Sequence, residues 1–531
     1  MAPRALKLGT RRSALARAQS AAVARQLEGL HPSLTVELVG IETRGDRILD
    51  TPLSSVEGKE FFTDELDAAL LDGQVDFTVH SYKDLSLERS ARLLLAAVPR
   101  RELPHDIALF AADVPERLAA GHELLIGSSS PRRASFVPEF LQRVLPRRAA
   151  DRRSLGRVRL VDLRGNVDSR LSRLREPRGS ARQLDGIVLA FAGLARLWAD
   201  EAGQALLRKL LCGLPRMVLP LSECPAAPAQ GALALECRRD HAATAERLRL
   251  IDHAPTRAAV AVERALLAQR GGGCHQRFGA TQIELPGLGA LLYVRDGDES
   301  DAAPGPGALQ PRWTPATPLE PPGLAINVWD GSRAARPGVE PIEAGIARCA
   351  ERLRDAAALF VSHRRALPEG DSTLINSAAH VWVPGIDTWQ ALAERGVWVE
   401  GCGEGLGLAA LEPLLAEPLL QLPAHDQWVV LTHAQAAAGW AGAGWGAADV
   451  IATYRHGQRA AADDATGAPR ADATHVYWFS SAQFERWGGA VGVGAQHACG
   501  PGKTYEHLRR AGVQNLRLFP QPAHWRQWLG M

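Results

Sequence analysis

The stretch VDFTVHSYKD, residues 75–84, decides how the first half of this 531-residue chain folds. Its apolar part, residues 75–80, predicts a buried strand, and the polar residues that follow predict a loop where the strand ends. Further strands are predicted at 5–9, 35–41, 124–127, 158–163 and 186–189, and helices at 13–30 and 61–71. Strands that alternate with helices predict parallel sheets, with ligand sites at the carboxyl ends of the strands.

Composition indicates a globular protein of several domains, because 531 residues exceed what one core usually holds. The net charge of +2 favours neither nucleic acid nor an anionic membrane as a partner. We find no run of 18 apolar residues and no secretory signal. The seven cysteines follow no metal or disulfide spacing, so we expect no metal and a cytoplasmic location with reduced thiols.

A change in composition divides the chain. Residues 296–323 are rich in proline and glycine, which is typical of a long loop or linker. Three tryptophans precede residue 331 and ten follow it. The sequence therefore predicts a second module that begins near residues 340–356.

The loop after the strand at 75–80 contains a candidate acid. Asp84 follows Lys83, and a carboxylate at a strand end could protonate a leaving amine or stabilise a developing cation. A neighbouring lysine and aspartate more often form a solvated turn, so the pair alone does not decide between the two interpretations.

Six arginines occur in turns rich in glycine and serine, where guanidinium groups can bind carboxylates bidentately. Salt bridges on surface loops are the alternative, and they account for most arginines of the chain. The six are Arg11, Arg132, Arg133, Arg164, Arg170 and Arg196.

One cysteine has an unusual setting. Cys274 directly follows Gly271, Gly272 and Gly273, which free its side chain from any regular element. Buried packing and covalent catalysis are both open interpretations of such a thiol. Arg277 nearby would favour the thiolate.

Together these segments resemble the porphobilinogen deaminase family (hydroxymethylbilane synthases) over about the first 290 residues. The matching segments are 9–16, 43–46, 58–62, 80–84, 127–133, 163–171, 185–197, 230–233 and 272–274. The resemblance implies a transferase of tetrapyrrole (heme) biosynthesis that joins four porphobilinogen units into linear hydroxymethylbilane and releases ammonia. It also implies an α/β fold: two doubly wound domains like those of periplasmic binding proteins, and a small α+β domain.

The resemblance also implies the site. Cys274 would carry a dipyrromethane cofactor, and Asp84 would assist deamination. The six arginines would bind substrate and cofactor carboxylates, with help from Ser13, Lys59, Ser81, Lys83, Ser129 and Ser130. The chain departs from the family pattern at Ser86, at Pro131 and at 275–278. We expect deaminase domains at 1–107 with 214–237, at 108–213 and at 238–355, and a monomeric deaminase part.

Residues 356–531 resemble uroporphyrinogen-III synthase, a lyase that cyclises the linear product. The resemblance rests on segments 358–364, 476–481 and 499–504 and on Tyr454, and implies Tyr454, Ser480 and Thr504 as cyclase candidates in a two-lobed α/β module. An inactive C-terminal domain stays open as an alternative. A non-catalytic, two-lobed anion-binding protein is the rival interpretation of the whole chain. A nucleic-acid partner is disfavoured, since aromatic residues do not alternate with the arginines.

Overall fold

The structure is a computed structural model that describes residues 5–43, 63–147, 157–272, 276–297, 311–325, 327–332, 338–457 and 467–531. The chain divides into two compact units. The first comprises Met1–Gln142, Ser154–Ile283 and Leu292–Pro311, and the second comprises Arg143–Arg153, Glu284–Leu291 and Arg312–Met531.

Twelve strands precede the proline-rich segment in the described residues. They are β1 (Leu6–Arg11), β2 (Val36–Ile41), β3 (Phe77–Ser81), β4 (Leu93–Ala97), β5 (Asp106–Phe110), β6 (Leu124–Gly127), β7 (Val158–Val161), β8 (Gly186–Ala190), β9 (Arg216–Leu219), β10 (Leu233–Arg238), β11 (Phe278–Leu285) and β12 (Gly289–Asp296).

The helices between these strands are mostly short. They are α1 (Ala14–Leu30), α2 (Asp64–Leu71), α3 (Val114–Ala119), α4 (Pro131–Val144), α5 (Val167–Ser172), α6 (Phe191–Trp198), α7 (Glu201–Leu211), α8 (Ala242–Arg249) and α9 (Ala254–Gln269).

Two five-stranded sheets form the body of the first unit, in the orders β2-β1-β3-β10-β4 and β7-β6-β8-β5-β9. Both sheets are mixed. β1 pairs with β2 and β3 in parallel, but β10 pairs antiparallel with β3 and β4. In the second sheet β5 is the antiparallel strand, between β8 and β9. The expectation of parallel sheets therefore holds for only part of each sheet, because β10 enters the first sheet and β5 the second sheet in the opposite direction.

Local sequence accounts for the helix starts beside the two sheets. The Oγ of Ser13 accepts a hydrogen bond from the backbone N–H of Ala16 at 3.3 Å and caps α1. Pro131, a departure from the family pattern, is the first residue of α4, where its missing N–H costs no helical hydrogen bond.

The strands of the second unit are β13 (Arg312–Pro315), β14 (Val339–Pro341), β15 (Ala358–Val361), β16 (His380–Val383), β17 (Gly401–Cys402), β18 (Trp428–His433), β19 (Asp449–His456), β20 (His475–Trp478), β21 (Gln496–Cys499) and β22 (Leu516–Leu518). Its helices are α10 (Glu343–Arg352), α11 (Ile386–Ala393), α12 (Leu408–Leu415), α13 (Ala434–Ala437), α14 (Ser481–Trp487), α15 (Lys503–Arg510) and α16 (Pro522–Trp528).

The second unit contains a six-stranded sheet, in the order β14-β19-β18-β15-β16-β17, and a three-stranded sheet, β20-β21-β22. Except for the antiparallel edge strand β14, the pairs in these sheets are parallel. The fold is thus mixed α/β, as expected. Large aromatic side chains fill the interior of this unit: Trp382, Trp389, Trp428, Trp445, Trp478 and Trp525 are each less than 2% exposed.

The predicted strands at 124–127 and 186–189 and the predicted helix at 13–30 agree with the structure to within a residue, and the other predicted elements lie within a few residues of observed ones. In the second unit, the segments at 358–364 and 476–481 contain β15 and β20. Among the helices in the described parts of the chain, none is long and apolar enough to cross a membrane.

Candidate functional site

A single turn of 3-10 helix, Tyr82–Asp84, follows β3. Its last residue, Asp84, is exposed. Lys83 points inward, and its Nζ donates a hydrogen bond to Oε1 of Gln230 at 3.2 Å. Burial lowers the pKa of Lys83, and the negative charge of Asp84 partly opposes that shift. Asp84 is therefore exposed while Lys83 points inward, so the two residues do not form the solvated lysine–aspartate turn that was the alternative interpretation.

Arg132 and Arg133, in the first turn of α4, converge on one buried carboxylate. Nη2 of Arg132 donates to Oδ2 of Asp106 at 2.6 Å, and Nη2 of Arg133 donates to Oδ1 at 2.8 Å. Asp106 is fully buried, and the two arginines are 3% and 7% exposed. Although burial opposes ionisation, the two guanidiniums hold the pKa of Asp106 well below its usual range. Asp106 thus orients both arginines.

Backbone carbonyls bind the second terminal nitrogen of each of these two guanidiniums, whereas the buried Nε of each has no hydrogen-bond partner among the described residues. Nη1 of Arg132 donates to the carbonyl of Pro225 at 2.6 Å, and Nη1 of Arg133 donates to the carbonyl of Val188 at 2.9 Å. With both ends fixed, the side chains have little rotational freedom. Any anion that they bind meets preorganised donors.

Gln230 connects this arginine cluster to Lys83. Its Nε2 donates to Oδ1 of Asp106 at 2.9 Å and to the carbonyl of Pro104 at 2.7 Å, while its Oε1 accepts from Lys83. The amide lies just before β10, the strand that returns to the first sheet. A single side chain therefore joins the loop after β3 to the start of β5 in the second sheet.

Arg164 lies in the loop that leads from β7 into α5, and Arg170 lies in α5 itself. Nε of Arg170 donates to the carbonyl of Gly165 at 2.7 Å. Burial lowers the pKa of Arg170, and so does the positive charge of Arg133, whereas the charges of Asp162 and Asp84 oppose the shift.

Arg164 has spare donors. Among the residues that the structure describes, its buried Nε and Nη2 have no hydrogen-bond partner. Buried polar groups without a partner are uncommon, and a bound ligand is one physical explanation. An anion is the ligand that a guanidinium with free donors prefers.

The other predicted site residues have different surroundings. Arg196 is 9% exposed and donates to the carbonyl of Gly231 at 2.5 Å, and burial lowers its pKa to about 10. Arg11 ends β1, and its charge contributes to lowering the pKa of His80. These two arginines lie apart from the Asp106 cluster in their contacts.

Four serines were predicted to assist. Ser13 caps α1, Ser81 donates to Oε1 of Gln19 at 3.3 Å, and Ser129 donates to the carbonyl of Leu163. The backbone carbonyl of Ser130 accepts from the N–H of Ala134 at the start of α4. Each serine has a structural contact that sequence reasoning did not assign.

Only one group of side chains in the described parts of the chain has the composition of a metal site: Asp67, His80 and Glu236. Arg89 already binds its two carboxylates, donating to Glu236 at 2.6 and 3.1 Å and to Asp67 at 2.7 Å. Burial lowers the pKa of His80 to about 4, so its ring is neutral at pH 7. Asp67 and Glu236 form an ion-pair network with Arg89, beside His80 of β3.

Two predicted site residues, Cys274 and Lys59, lie outside the described residues. Conversely, sequence reasoning missed Asp106 and Gln230. The only signal for Asp106 was an acid at the start of the fully buried strand β5. A glutamine before a strand, as at 230, carries no signal of its own.

In the second unit the three cyclase candidates lie on different elements. Tyr454 is near the end of β19 and is 4% exposed. The Oγ of Ser480 accepts from the N–H of Gln483 at 3.3 Å and caps α14, and Thr504 lies in the first turn of α15. The capping role of Ser480 was not anticipated.

The first unit defines a class of mixed α/β protein in which oriented arginines share a buried carboxylate and an exposed carboxylate follows a sheet strand. Residues 6–246 match the family model for porphobilinogen deaminase, dipyromethane cofactor binding domain. The chain belongs to the porphobilinogen deaminase family, and the match supports that function for its N-terminal half. The matched domain is the one that binds the dipyrromethane cofactor.

Relatives called porphobilinogen deaminase extend this comparison. The one from Nitratidesulfovibrio vulgaris is 40% identical over 293 residues, which cover 55% of this chain and 79% of the relative. That from Sphingopyxis alaskensis is 39% identical over 304 residues, covering 55% and 85%, and that from Brevibacillus brevis is 38% identical over 276 residues, covering 52% and 78%. These similarities cover about half of the chain.

Among solved structures, the methionine binding protein MetQ matches this chain at 13% identity and a TM-score of 0.25, covering 50% of this chain and 96% of that protein. The BenM effector binding domain with its effector benzoate is 13% identical with a TM-score of 0.24, covering 51% and 94%. At such scores neither similarity carries an argument about this chain.

Proposed function

We propose that the N-terminal half polymerises four porphobilinogen units into hydroxymethylbilane, with Asp84 as the acid at the reacting centre. The observation that carries this proposal is the position of Asp84. It is an exposed carboxylate beside the inward-pointing Lys83, and its charge acts on Arg170 of α5, the helix that follows β7. A carboxyl group there can donate a proton to the departing amine, which leaves as ammonia.

We propose that the ionised Asp84 then stabilises the positive charge left on the substrate when the carbon–nitrogen bond breaks. A carboxylate that is exposed before substrate enters becomes desolvated when the substrate covers it, which strengthens its attraction to a cation. The arginines supply the complementary function, because each porphobilinogen unit carries an acetate and a propionate group.

The residues present fit a carboxylate-rich cofactor. The free buried donors of Arg164 and the fixed guanidiniums of Arg132 and Arg133 suit such a group. We propose that these arginines hold it and that Cys274 is its attachment point. When bound, dipyrromethane supplies the primer to which substrate units are added. Arg11, Arg170 and Arg196 would bind carboxylates of the growing chain, and Lys59, Ser81, Ser129 and Ser130 belong to the same proposal.

Intact mass of the purified chain beside a Cys274→Ser variant tests this proposal. We expect the wild-type chain to exceed its sequence mass by two porphobilinogen units less two ammonia molecules, and the variant to lack that increment. If the wild-type chain stays bare even after incubation with porphobilinogen, the deaminase proposal fails and a non-catalytic anion-binding protein replaces it.

For residues 356–531 we propose a second function, cyclisation of the linear product to uroporphyrinogen III. Its support is the placement of Tyr454 near the carboxyl end of a parallel strand, the usual ligand edge of such sheets. The test is the ring isomer formed by the purified chain from porphobilinogen. The rearranged macrocycle would support cyclase activity, whereas spontaneous unrearranged closure would show an inactive domain. A monomeric deaminase part and a cytoplasmic location stay predictions.

A further inference from the structure

Three histidines follow neighbouring strands of the six-stranded sheet in the second unit. His363 comes two residues after β15, His433 ends β18, and His456 ends β19. β15 pairs with β18 in parallel, and β18 pairs with β19 in parallel. Their carboxyl ends therefore meet at one edge, which brings three nitrogen bases to the place where α/β sheets bind ligands.

The rings of this histidine cluster are close and held in place. The centroids of His433 and His456 are 4.7 Å apart, and each lies within 5.7 Å of the Tyr454 ring. Gln435 lies beside both histidines, with its Oε1 3.2 Å from Nδ1 of His433 and its Nε2 3.4 Å from the carbonyl of His456. Nδ1 of His456 is buried and has no hydrogen-bond partner among the described residues.

Lys503, at the start of α15, is the fourth nitrogen base considered with the three histidines. Its Nζ lies 3.2 Å from the centroid of the Trp440 ring and has no hydrogen-bond partner in the described parts of the chain. Burial lowers the pKa of Lys503 to about 7, against the opposing charge of Glu506. The charge of Lys503 in turn contributes to the lowered pKa of His433.

Positive neighbours dominate this cluster. Burial lowers the pKa of His363 to about 4, with further lowering by Arg365, Arg364, His433 and His456. Burial also lowers the pKa values of His433 and His456. Gln435 opposes the shift at His433, Arg365 adds to the shift at His456, and Glu485 opposes it there. The three histidines are therefore neutral at pH 7, because burial and neighbouring positive charges both disfavour their protonated forms.

We propose that His433, His456 and Lys503 form a binding site for the carboxylate groups of a polycarboxylate ligand, and that binding takes up protons. A carboxylate placed among these nitrogens favours their charged forms, so the protons enter from solvent as the ligand binds. The proposal deepens the function proposed for residues 356–531 and rests on it only for the identity of the natural ligand.

The sign of the pH dependence follows from linkage. Because the free protein holds Lys503 half-neutral near pH 7 and the complex holds it charged, affinity rises as the pH falls. For one such group, the dissociation constant falls about twentyfold when the pH is lowered from 8.5 to 6.5. This figure is the contribution of Lys503 alone, and each histidine that is neutral in the free protein and charged in the complex steepens the pH dependence further.

Titration calorimetry of the full chain with benzene-1,2,4,5-tetracarboxylate tests the proposal. Measurements at pH 6.5, 7.5 and 8.5, each in two buffers of different ionisation enthalpy, give affinity and proton uptake. We expect Lys503→Met to remove one class of binding sites and its proton uptake. The control Lys209→Met changes an exposed lysine of the first unit and should leave both unchanged. Sites in the deaminase half are common to all variants and cancel in the comparison.

Lys503→Arg sharpens the test, because arginine keeps the charge but does not lose its proton near neutral pH. We expect it to bind the probe more tightly than the wild type at pH 8.5, and its change in affinity between pH 8.5 and pH 6.5 to be about twentyfold smaller than that of the wild type. His433→Asn should weaken binding at pH 6.5 at least fivefold. Equal binding by wild type, Lys503→Met and His433→Asn would overturn the proposal, as would pH-independent affinity.

The ring isomer assay separates this inference from the cyclase proposal. Rearranged macrocycle without probe binding at Lys503 would overturn the carboxylate site and leave the cyclase intact. Proton-linked probe binding with only unrearranged product would support the site and overturn the cyclase.

Discussion

The two units of this chain stabilise their interiors by different means. The first buries charge: Asp106, Arg132, Arg133, Glu236 and Glu263 are all less than 9% exposed. The second buries tryptophan, with Trp445 in contact with Phe360, Trp428, Trp440 and His425. Buried ion pairs need partners in a defined geometry, whereas aromatic packing tolerates variation. This contrast is consistent with family motifs that are specific in the first half and faint in the second.

The largest effect is expected for the exposed acid. Asp84→Asn keeps the size of the side chain but removes its proton and its charge, so turnover of porphobilinogen should fall by about 10²–10⁴-fold. Ammonia release measures this. Asp162→Asn, which changes another exposed acid whose charge acts on Arg170, is the matched control and should retain activity within a fewfold. Normal ammonia release from Asp84→Asn would contradict the proposed role.

The buried carboxylate should matter chiefly for stability. Asp106→Asn leaves Arg132 and Arg133 without their counter-charge, and removing one partner of a buried pair costs about 3–5 kcal/mol in the free energy of unfolding. Urea denaturation of the first unit measures this cost. Asp113→Asn, which removes the half-exposed partner of Arg178, should cost less than about 1 kcal/mol. If both variants lost the same free energy of unfolding, the buried ion pair would be no more important for stability than the half-exposed one.

In the second unit, the matching prediction concerns a buried tryptophan of the aromatic interior. Trp445→Leu removes most of a fully buried ring system, and we expect it to lower the free energy of unfolding of this unit by about 3 kcal/mol. Ammonia release by the deaminase half should stay within twofold of wild type. A parallel loss of ammonia release would show that the halves do not act separately.

The smallest effect is expected for the arginine with free donors. Arg164→Leu should slow product formation about tenfold through the loss of one charge-assisted contact, with the midpoint of unfolding nearly unchanged. Arg159→Leu changes a half-exposed arginine on β7 and serves as control. If both variants formed product at the wild-type rate, carboxylate binding by Arg164 would be refuted.

Sequence reasoning was accurate where local patterns act alone. The apolar run at 186–189 and the helical period at 13–30 specify a strand and a helix whatever surrounds them. It failed for β10, because an antiparallel insertion depends on where the chain returns and not on its own residues. It also missed Asp106, whose role arises only when α4 brings Arg132 and Arg133 to the start of β5.

By itself the sequence determined the α/β character, the break in composition near residue 331 and the motifs that identify the family of the first half. Each of these features depends on residues that are close together in the sequence, through their periodicity, composition or spacing. Only the tertiary structure decided which charges meet. Lys83 reaches Gln230 across 147 residues, and His433 and His456 meet because β18 and β19 are adjacent in one sheet. Electrostatic shifts depend on distance and burial in space, and these follow from packing.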